Sequence, residues 1–325
     1  MKALTIAIAS FQRRDAVTRL VTSLQTLAEE SPASFVGVDV LVVLDGSTDG
    51  SQEALAELDC SFPLTVIWQE NSGLSGARNA GLNAATGEII WFLDDDLVPL
   101  TGTLELHREA HEHAAQSMLI GPCDVAPTIS LSEEAEQYWE HLSVLRAQSE
   151  SITRFDLIAV ANGSVPTQLM RSVGGLDEEF VGYGLEDYEL GLRLLQAGTV
   201  VHFDRAAACW HYSSIDPELA RLRRREEGRN TVRFLRMHPE IAESFLPASY
   251  PGRSMQILDR LGIRSPSTLA TLSRGSASII RLFSPLLART KRGQFIRTLP
   301  YDASYAAGVA DLDRSLVPRA LGRPA

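Results

Sequence analysis

Three adjacent carboxylates, Asp94-Asp95-Asp96, follow directly on the apolar run Ile89-Ile90-Trp91-Phe92-Leu93. Carboxylates this close repel one another unless a cation sits among them. The partner this favours is a hard divalent ion, Mn²⁺ or Mg²⁺. Such an ion takes one or two carboxylates and fills its other positions with water and substrate phosphates. In an extended chain Asp94 and Asp96 point to one side and Asp95 to the other. Asp94 and Asp96 are therefore the expected metal ligands. The plainer alternative is a solvated acidic turn that caps the next helix. A second acidic pair, Glu186-Asp187, opens a stretch with Leu190, Leu192, Leu194 and Leu195. Acidic residues there suit a helix N-terminus. A carboxylate in a dry site beside other acids also has a raised pKa, which suits a general base.

The elements that must position these groups alternate in period. Leu4 to Ala9, Val38 to Leu44, Leu64 to Trp68 and Ile89 to Leu93 read as strands. Between them, Val17, Leu20, Val21, Leu24 and Leu27 recur at helical spacing, and 52–58 and Ala77 to Ala85 also read as helices. Strand, helix, strand, helix implies an α/β fold with a mostly parallel sheet covered by helices. Ligands bind beyond the carboxyl ends of such strands, where Asp94–Asp96 lie. Further on, Glu133 to Gln148 reads as a helix, Phe155 to Ala161 as a β-type run, Tyr188 to Ala197 as a helix, and Val200 to Phe203 as a strand. Pro247, Pro251 and Gly252 mark a boundary. The organisation read here is a domain over 1–247, with halves 1–100 and 101–247, and a basic, helical C-terminal extension over 248–325.

Five segments, taken together and in order, resemble glycosyltransferase family 2 over about residues 3–240. They are Ile6 to Arg13, Val42 to Ser51, Asn71 to Gly81, Phe92 to Asp96, and Gly174 to Glu178 followed by Gly184-Leu185-Glu186-Asp187. The resemblance implies the GT-A fold, with a Rossmann-like nucleotide-binding half and an acceptor half. It also implies a divalent metal at the DXD motif and an inverting transfer from a nucleotide-diphosphate sugar. Ser10, Phe11, Asp45, Arg78, Asp94, Asp95 and Asn162 become the donor-binding residues. Asp187 becomes the general base, with Glu186 holding the acceptor or supporting the metal shell. His211 becomes a further metal ligand beside Asp94 and Asp96. A carboxylate can only accept hydrogen bonds, so Asp45 favours a uracil or thymine ring N–H. The family often carries two acids before Gly-Ser, and here the first is Leu44. Tyr183, Trp139 and Trp210 are each either sugar-stacking or core residues.

Charge separates the two ends of the chain. Net charge is −11 over 325 residues, yet residues 252–325 hold 12 Arg or Lys against 4 Asp, leaving −19 for the rest. An acidic body argues against nucleic-acid binding. The basic tail leaves open an anionic acceptor or peripheral contact with the inner face of a membrane. Seven arginines between Leu219 and Met237 read as a solvated face paired with Glu226 and Glu227, or as a basic rim for an anionic ligand. Three scattered cysteines and no signal-like N-terminus fit a cytoplasmic protein. The acceptor class stays open among carbohydrate, lipid-linked glycan and small molecule. One rival is a non-catalytic nucleotide-sugar or glycan-binding protein. A nucleotidyltransferase is less favoured, because Ser10-Phe11-Gln12-Arg13-Arg14 has no glycine to cradle a triphosphate.

Overall fold

Four short β-type runs become the strands that begin the sheet: β1 (Leu4–Ser10), β2 (Val38–Asp45), β3 (Leu64–Gln69) and β4 (Ile89–Leu93). Every residue of β4 is buried, as a strand covered on both faces requires. Three helices connect these strands: α1 (Arg14–Glu30), α2 (Ser51–Ala56) and α3 (Gly73–Ala84). On α1, Val17, Leu20, Val21, Leu24 and Ala28 form the buried stripe, and the helix stops at Ser31 before Pro32. On α3, Gly81 lets the helix lie close to the sheet, since a Cβ there would sit 3.4 Å from that of Ala7.

The computed structural model describes residues 1–129, 144, 146, 147, 151–212, 217–241, 271–273 and 291–312. Most of the helix expected over Glu133–Gln148, with Trp139, lies outside the described residues. So does the boundary at Pro247, Pro251 and Gly252.

The main sheet has seven strands in the order β3-β2-β1-β4-β8-β6-β9, adding β6 (Ser117–Ile120), β8 (Asn162–Pro166) and β9 (Val200–Phe203). β1 is parallel to both β2 and β4, and β2 to β3, whereas β8 runs antiparallel to β4 and β6. The chain steps outward from β1 to β3 and then returns to place β4 on the other side of β1. That reversal is a topological switch point, and the ends of β1 and β4 open onto its crevice. A small sheet of β5 (Leu97–Pro99), β10 (Cys209–His211) and β7 (Cys123–Val125) stands beside it. Helices α4 (Thr103–Glu109), α5 (Thr167–Ser172) and α6 (Glu186–Gln196) complete this part. The core has Trp91, Phe92, Ile89 and Ile90 at its centre. Each such side chain contributes roughly 1.5–3 kcal/mol by leaving water.

The β-type run at 155–161 is not a strand. Phe155–Leu157 is a 3₁₀ turn, and the strand is the next segment, Asn162–Pro166. Periodicity placed it too early because Asn162, Gly163 and Ser164 are poor strand formers by type. They sit in the sheet interior because Asn162 and Ser164 find buried hydrogen-bond partners there.

Contacts divide the chain into two units, one of residues 1–179 and 186–214, the other of residues 180–185 and 215–325. In the second, α7 (Pro217–Met237) crosses α8 (Lys291–Leu312) at Gly228 and Gly308. A Cβ on Gly228 would lie 2.2 Å from the Tyr305 carbonyl oxygen, so neither glycine tolerates a side chain without the helices separating. Several α7 arginines are paired: Arg221 with Glu218, Arg224 with Glu227, and Arg225 and Arg229 with Asp311. No helix among the described residues is long and apolar enough to cross a membrane.

Candidate active site

The chain after β4 turns at once. Leu97 N–H donates to the Asp94 carbonyl at 3.0 Å, closing a tight turn through Asp95 and Asp96. The extended alternation expected for the three carboxylates therefore does not occur. Asp95 and Asp96 share one partner, and Asp94 takes another. Arg13, the residue that caps the start of α1, reaches Asp95 at 2.9 Å and Asp96 at 2.8 Å. Arg78, on α3, reaches Asp94 at 2.7 Å. The Ser10 hydroxyl donates to Asp95 at 2.7 Å. Phe11, beside it, is half exposed.

Local pairing brings His211 to the same turn. β10 runs antiparallel to β5 with His211 opposite Leu97, and Tyr212 N–H donates to the Asp96 carbonyl at 2.8 Å. His211 Nε2 thereby lies 3.3 Å from Asp96 Oδ2. Two metal bonds of about 2.1 Å at a right angle place their donor atoms about 3 Å apart. Asp96 and His211 thus fit adjacent positions on a divalent ion, with water and phosphate oxygens to complete the shell. Among the described residues no group of three or more His, Cys, Asp or Glu could hold a metal, and Asp94 is engaged by Arg78.

Arg78 joins this turn to the second acidic pair. Its buried guanidinium lies 3.3 Å from Asp187 and 3.9 Å from Glu186, at the start of α6. The other Asp187 oxygen accepts from Val160 N–H at 3.2 Å. Leu185, the residue before, is buried with φ +74°, a conformation a leucine adopts only under constraint.

Five carboxylates thus face two guanidinium groups, with Asp95, Asp96, Glu186 and Arg78 buried and Asp94 and Arg13 open to water. Burial pushes Asp95 up to about 7 against the pull of Arg13 and the Ser10 hydroxyl. Burial also acts on Asp96, but His211 and Arg13 outweigh it and hold that carboxyl well below the usual range. Burial and the neighbouring Asp187 push Glu186 up, and burial raises Asp187 against the pull of Arg78.

Asp45 lies across β1 from this cluster in strand order. It is buried, and one carboxylate oxygen accepts from Gln69 Nε2, Ser72 N–H and the Ser72 hydroxyl at 2.7–3.1 Å. Among the described residues the other accepts only from Gly73 N–H, at 2.9 Å, which leaves acceptor capacity there. Gln12 was not singled out by sequence, yet it bridges the two loops at this end of the sheet. Its side-chain amide bonds Thr48, and its N–H donates to the Ser47 hydroxyl. Its φ of +54° is the local signal, invisible in the sequence. Trp68 was also passed over. Its ring is half exposed and its N–H is anchored on the Ser47 carbonyl.

Asn162 does not join the cluster as a ligand-facing group. Its carbonyl oxygen accepts from Trp91 Nε1 at 3.0 Å and faces His107 Nε2 at 3.0 Å. Its amide nitrogen donates to the carbonyls of Pro122 and Ala207. These contacts hold the Asn162 side chain inside the protein. Tyr183 carries the guanidinium of Arg223 on its ring at 4.8 Å, a cation–π contact within the second unit.

The chain has both sequence relatives and structural neighbours among known proteins. The chain is 25% identical over 265 residues to a validoxylamine A glucosyltransferase of Streptomyces hygroscopicus subsp. jinggangensis, covering 73% of this chain and 61% of that protein. It is 29% identical over 222 residues to a pre-mycofactocin glycosyltransferase of Mycobacterium tuberculosis, covering 64% of this chain and 42% of the relative. The chain thus spans about three fifths or less of the length of these two relatives. Among solved structures, it is similar to the mannosyltransferase PcManGT of Pyrobaculum calidifontis in complex with GDP-Man and Mn²⁺. The TM-score is 0.63 at 17% identity, over 96% of this chain and 87% of that one. S. aureus TarS in complex with UDP gives a TM-score of 0.53 at 17% identity, over 94% of this chain and 90% of that one. These likenesses establish the GT-A fold. The family model for glycosyl transferase family 2 matches residues 5–164, which take in β1, β2, α3 and the acidic turn.

Proposed function

We propose that the protein transfers a sugar from a nucleotide-diphosphate donor to an acceptor hydroxyl, with inversion at the anomeric carbon and with a divalent cation. The observation that carries this reading is the Arg78 guanidinium, which links Asp94 at the end of β4 to Asp187 at the start of α6. One buried cation thereby holds a donor-side carboxylate and a candidate base on either side of itself. The relatives named as glucosyl- and glycosyltransferases, and the neighbours bound to GDP-Man and UDP, support the same class of donor.

The chain's own groups divide the work. Ser10, Phe11 and Asp45 line the base end, and the free acceptor capacity of Asp45 suits a ring N–H. That favours a UDP-sugar, with a dTDP-sugar as the alternative. Asp94, Asp95 and Asp96 mark the diphosphate end. Asp96 and His211 would hold the cation, with Asp94 beside them, and Mn²⁺ or Mg²⁺ would supply Lewis-acid stabilisation of the departing diphosphate. Asp187 takes the proton of the acceptor hydroxyl, and its raised pKa makes it a stronger base than a free carboxylate. The acceptor oxygen then attacks the anomeric carbon. The bond from that carbon to the diphosphate breaks, and its electron pair leaves with the nucleotide. Glu186, also raised, holds the acceptor. The acceptor is a carbohydrate, a lipid-linked glycan or a small molecule.

Incubation with UDP- and dTDP-sugars and NMR of the product tests this reading. The anomeric coupling is expected to show the configuration opposite to the donor's. A retained configuration would remove Asp187 from its role as base.

A further inference from the structure

We propose that Arg13 is the resident counter-ion of the acidic turn, holding Asp95 and Asp96 in the donor-free protein and giving way when the divalent cation binds. The inference rests on the proposed use of such a cation by Asp96 and His211.

Position makes the case first. The two ends of the Arg13 guanidinium contact different residues, Asp95 at 2.9 Å and Asp96 at 2.8 Å. The Asp96 oxygen it contacts is the same Oδ2 that lies 3.3 Å from His211 Nε2. The guanidinium and an ion held by Asp96 and His211 therefore compete for one oxygen. Two positive charges do not share that position at close range without a large repulsion.

The surroundings allow the exchange. Asp95 keeps the Ser10 hydroxyl as a partner when Arg13 leaves, and Asp96 would exchange the guanidinium for the cation that it and His211 hold. The backbone of Arg13 is pinned, while among the described residues its side chain makes no other hydrogen bond or ion pair. Its carbonyl accepts from Ala16 and Val17 N–H at the start of α1. Its neighbours Gln12 and Arg14 are tied through their N–H groups to Ser47 and Asp49. The side chain can thus swing away while the strand end and the helix stay in place. Exposure separates the two arginines of the cluster. The Arg13 side chain is 38% exposed and has a path to water, whereas that of Arg78 is 4% exposed and enclosed by three carboxylates.

Mn²⁺ titration of the full chain, read by the EPR signal of the free ion and without nucleotide, tests the exchange. Removing a competing charge in Arg13→Met is expected to tighten Mn²⁺ binding by about tenfold, the equivalent of about 1.4 kcal/mol. The same variant is expected to lower the metal-free thermal midpoint, since the carboxylates lose their counter-ion. These two shifts have opposite signs, and a merely structural arginine would lower the midpoint without tightening the metal. Arg13→Lys keeps a charge that cannot fork across two carboxylates, and roughly threefold tighter binding is expected from it. It carries the test if the methionine variant does not fold. Unchanged or weaker Mn²⁺ binding in the variants, with measurable binding in the wild type, overturns the inference and leaves the metal reading standing. Absence of Mn²⁺ binding in every protein, with and without UDP, overturns both.

Discussion

Two buried polar clusters flank β4, and they are built on opposite plans. Beyond its carboxyl end, five carboxylates meet two arginines. Alongside it, Trp91, Asn162, His107, Ser164, His111 and Ser117 form a chain of neutral hydrogen bonds of 2.8–3.0 Å. The second chain is complete and uncharged, and burial pushes His107 down to about 3 and His111 to about 4. The first sets five carboxylates against two arginines among the described residues. A satisfied neutral network specifies packing, while a cluster of titratable groups with shifted pKa values is where ligands and chemistry are commonly found.

Variants on either side of β4 should therefore fail in different ways. The largest effect is expected at Asp187. Asp187→Asn should lower the rate of sugar transfer by roughly 10²–10⁴-fold, the range for loss of a general base, while nucleotide-dependent stabilisation persists. Arg78→Met should come next, destabilising the fold by about 3–5 kcal/mol in denaturant unfolding because buried carboxylates lose their partner. An unchanged midpoint would show that the acidic cluster is more hydrated than its burial indicates.

The histidine chain should respond to pH. Unfolded histidines take up protons near pH 6.5, and His107 and His111 in the fold do so only far lower. The unfolded state thus binds more protons in that window, and stability is lost as pH falls from about 6.5 toward 4. The loss should approach about 1.4 kcal/mol per pH unit for each histidine. His111→Gln should flatten this slope and leave the nucleotide response intact. A smaller effect is expected at the loop bridge. Gln12→Ala should cost about 0.5–1.5 kcal/mol, the net worth of a hydrogen bond, and should weaken nucleotide binding slightly.

Much of the acidic side was legible in the sequence. Asp94–Asp96 announce themselves by charge density after an apolar run, and Glu186-Asp187 by opening a leucine-rich helix. The strands β1, β2 and β4 were legible because burial on both faces leaves continuous apolar runs, and the half-buried edge strand β3 by its β-branched and aromatic residues. The partner of each carboxylate was not. Arg13 lies 82 positions from Asp95, and only the adjacency of β1 and β4 brings them together. The neutral chain was nearly invisible. Histidine and serine carry no periodic signal, and nothing in the sequence shows that Asn162 bonds Trp91, Pro122 and Ala207 inside the fold. The turn after β4 also escaped reading, because alternation holds only while the chain stays extended.

The most direct test of the central claim is thermal unfolding with UDP, dTDP, GDP and ADP, each with and without Mn²⁺, for the wild type and Asp96→Ala. A ligand at about 100 times its dissociation constant stabilises the fold by about 2.7 kcal/mol, a clear shift in midpoint. The predicted result is stabilisation by one nucleotide diphosphate that requires Mn²⁺ and is lost in Asp96→Ala. Absence of any nucleotide shift in the wild type, under every metal condition, would contradict the assignment of the acidic turn to a sugar-nucleotide donor.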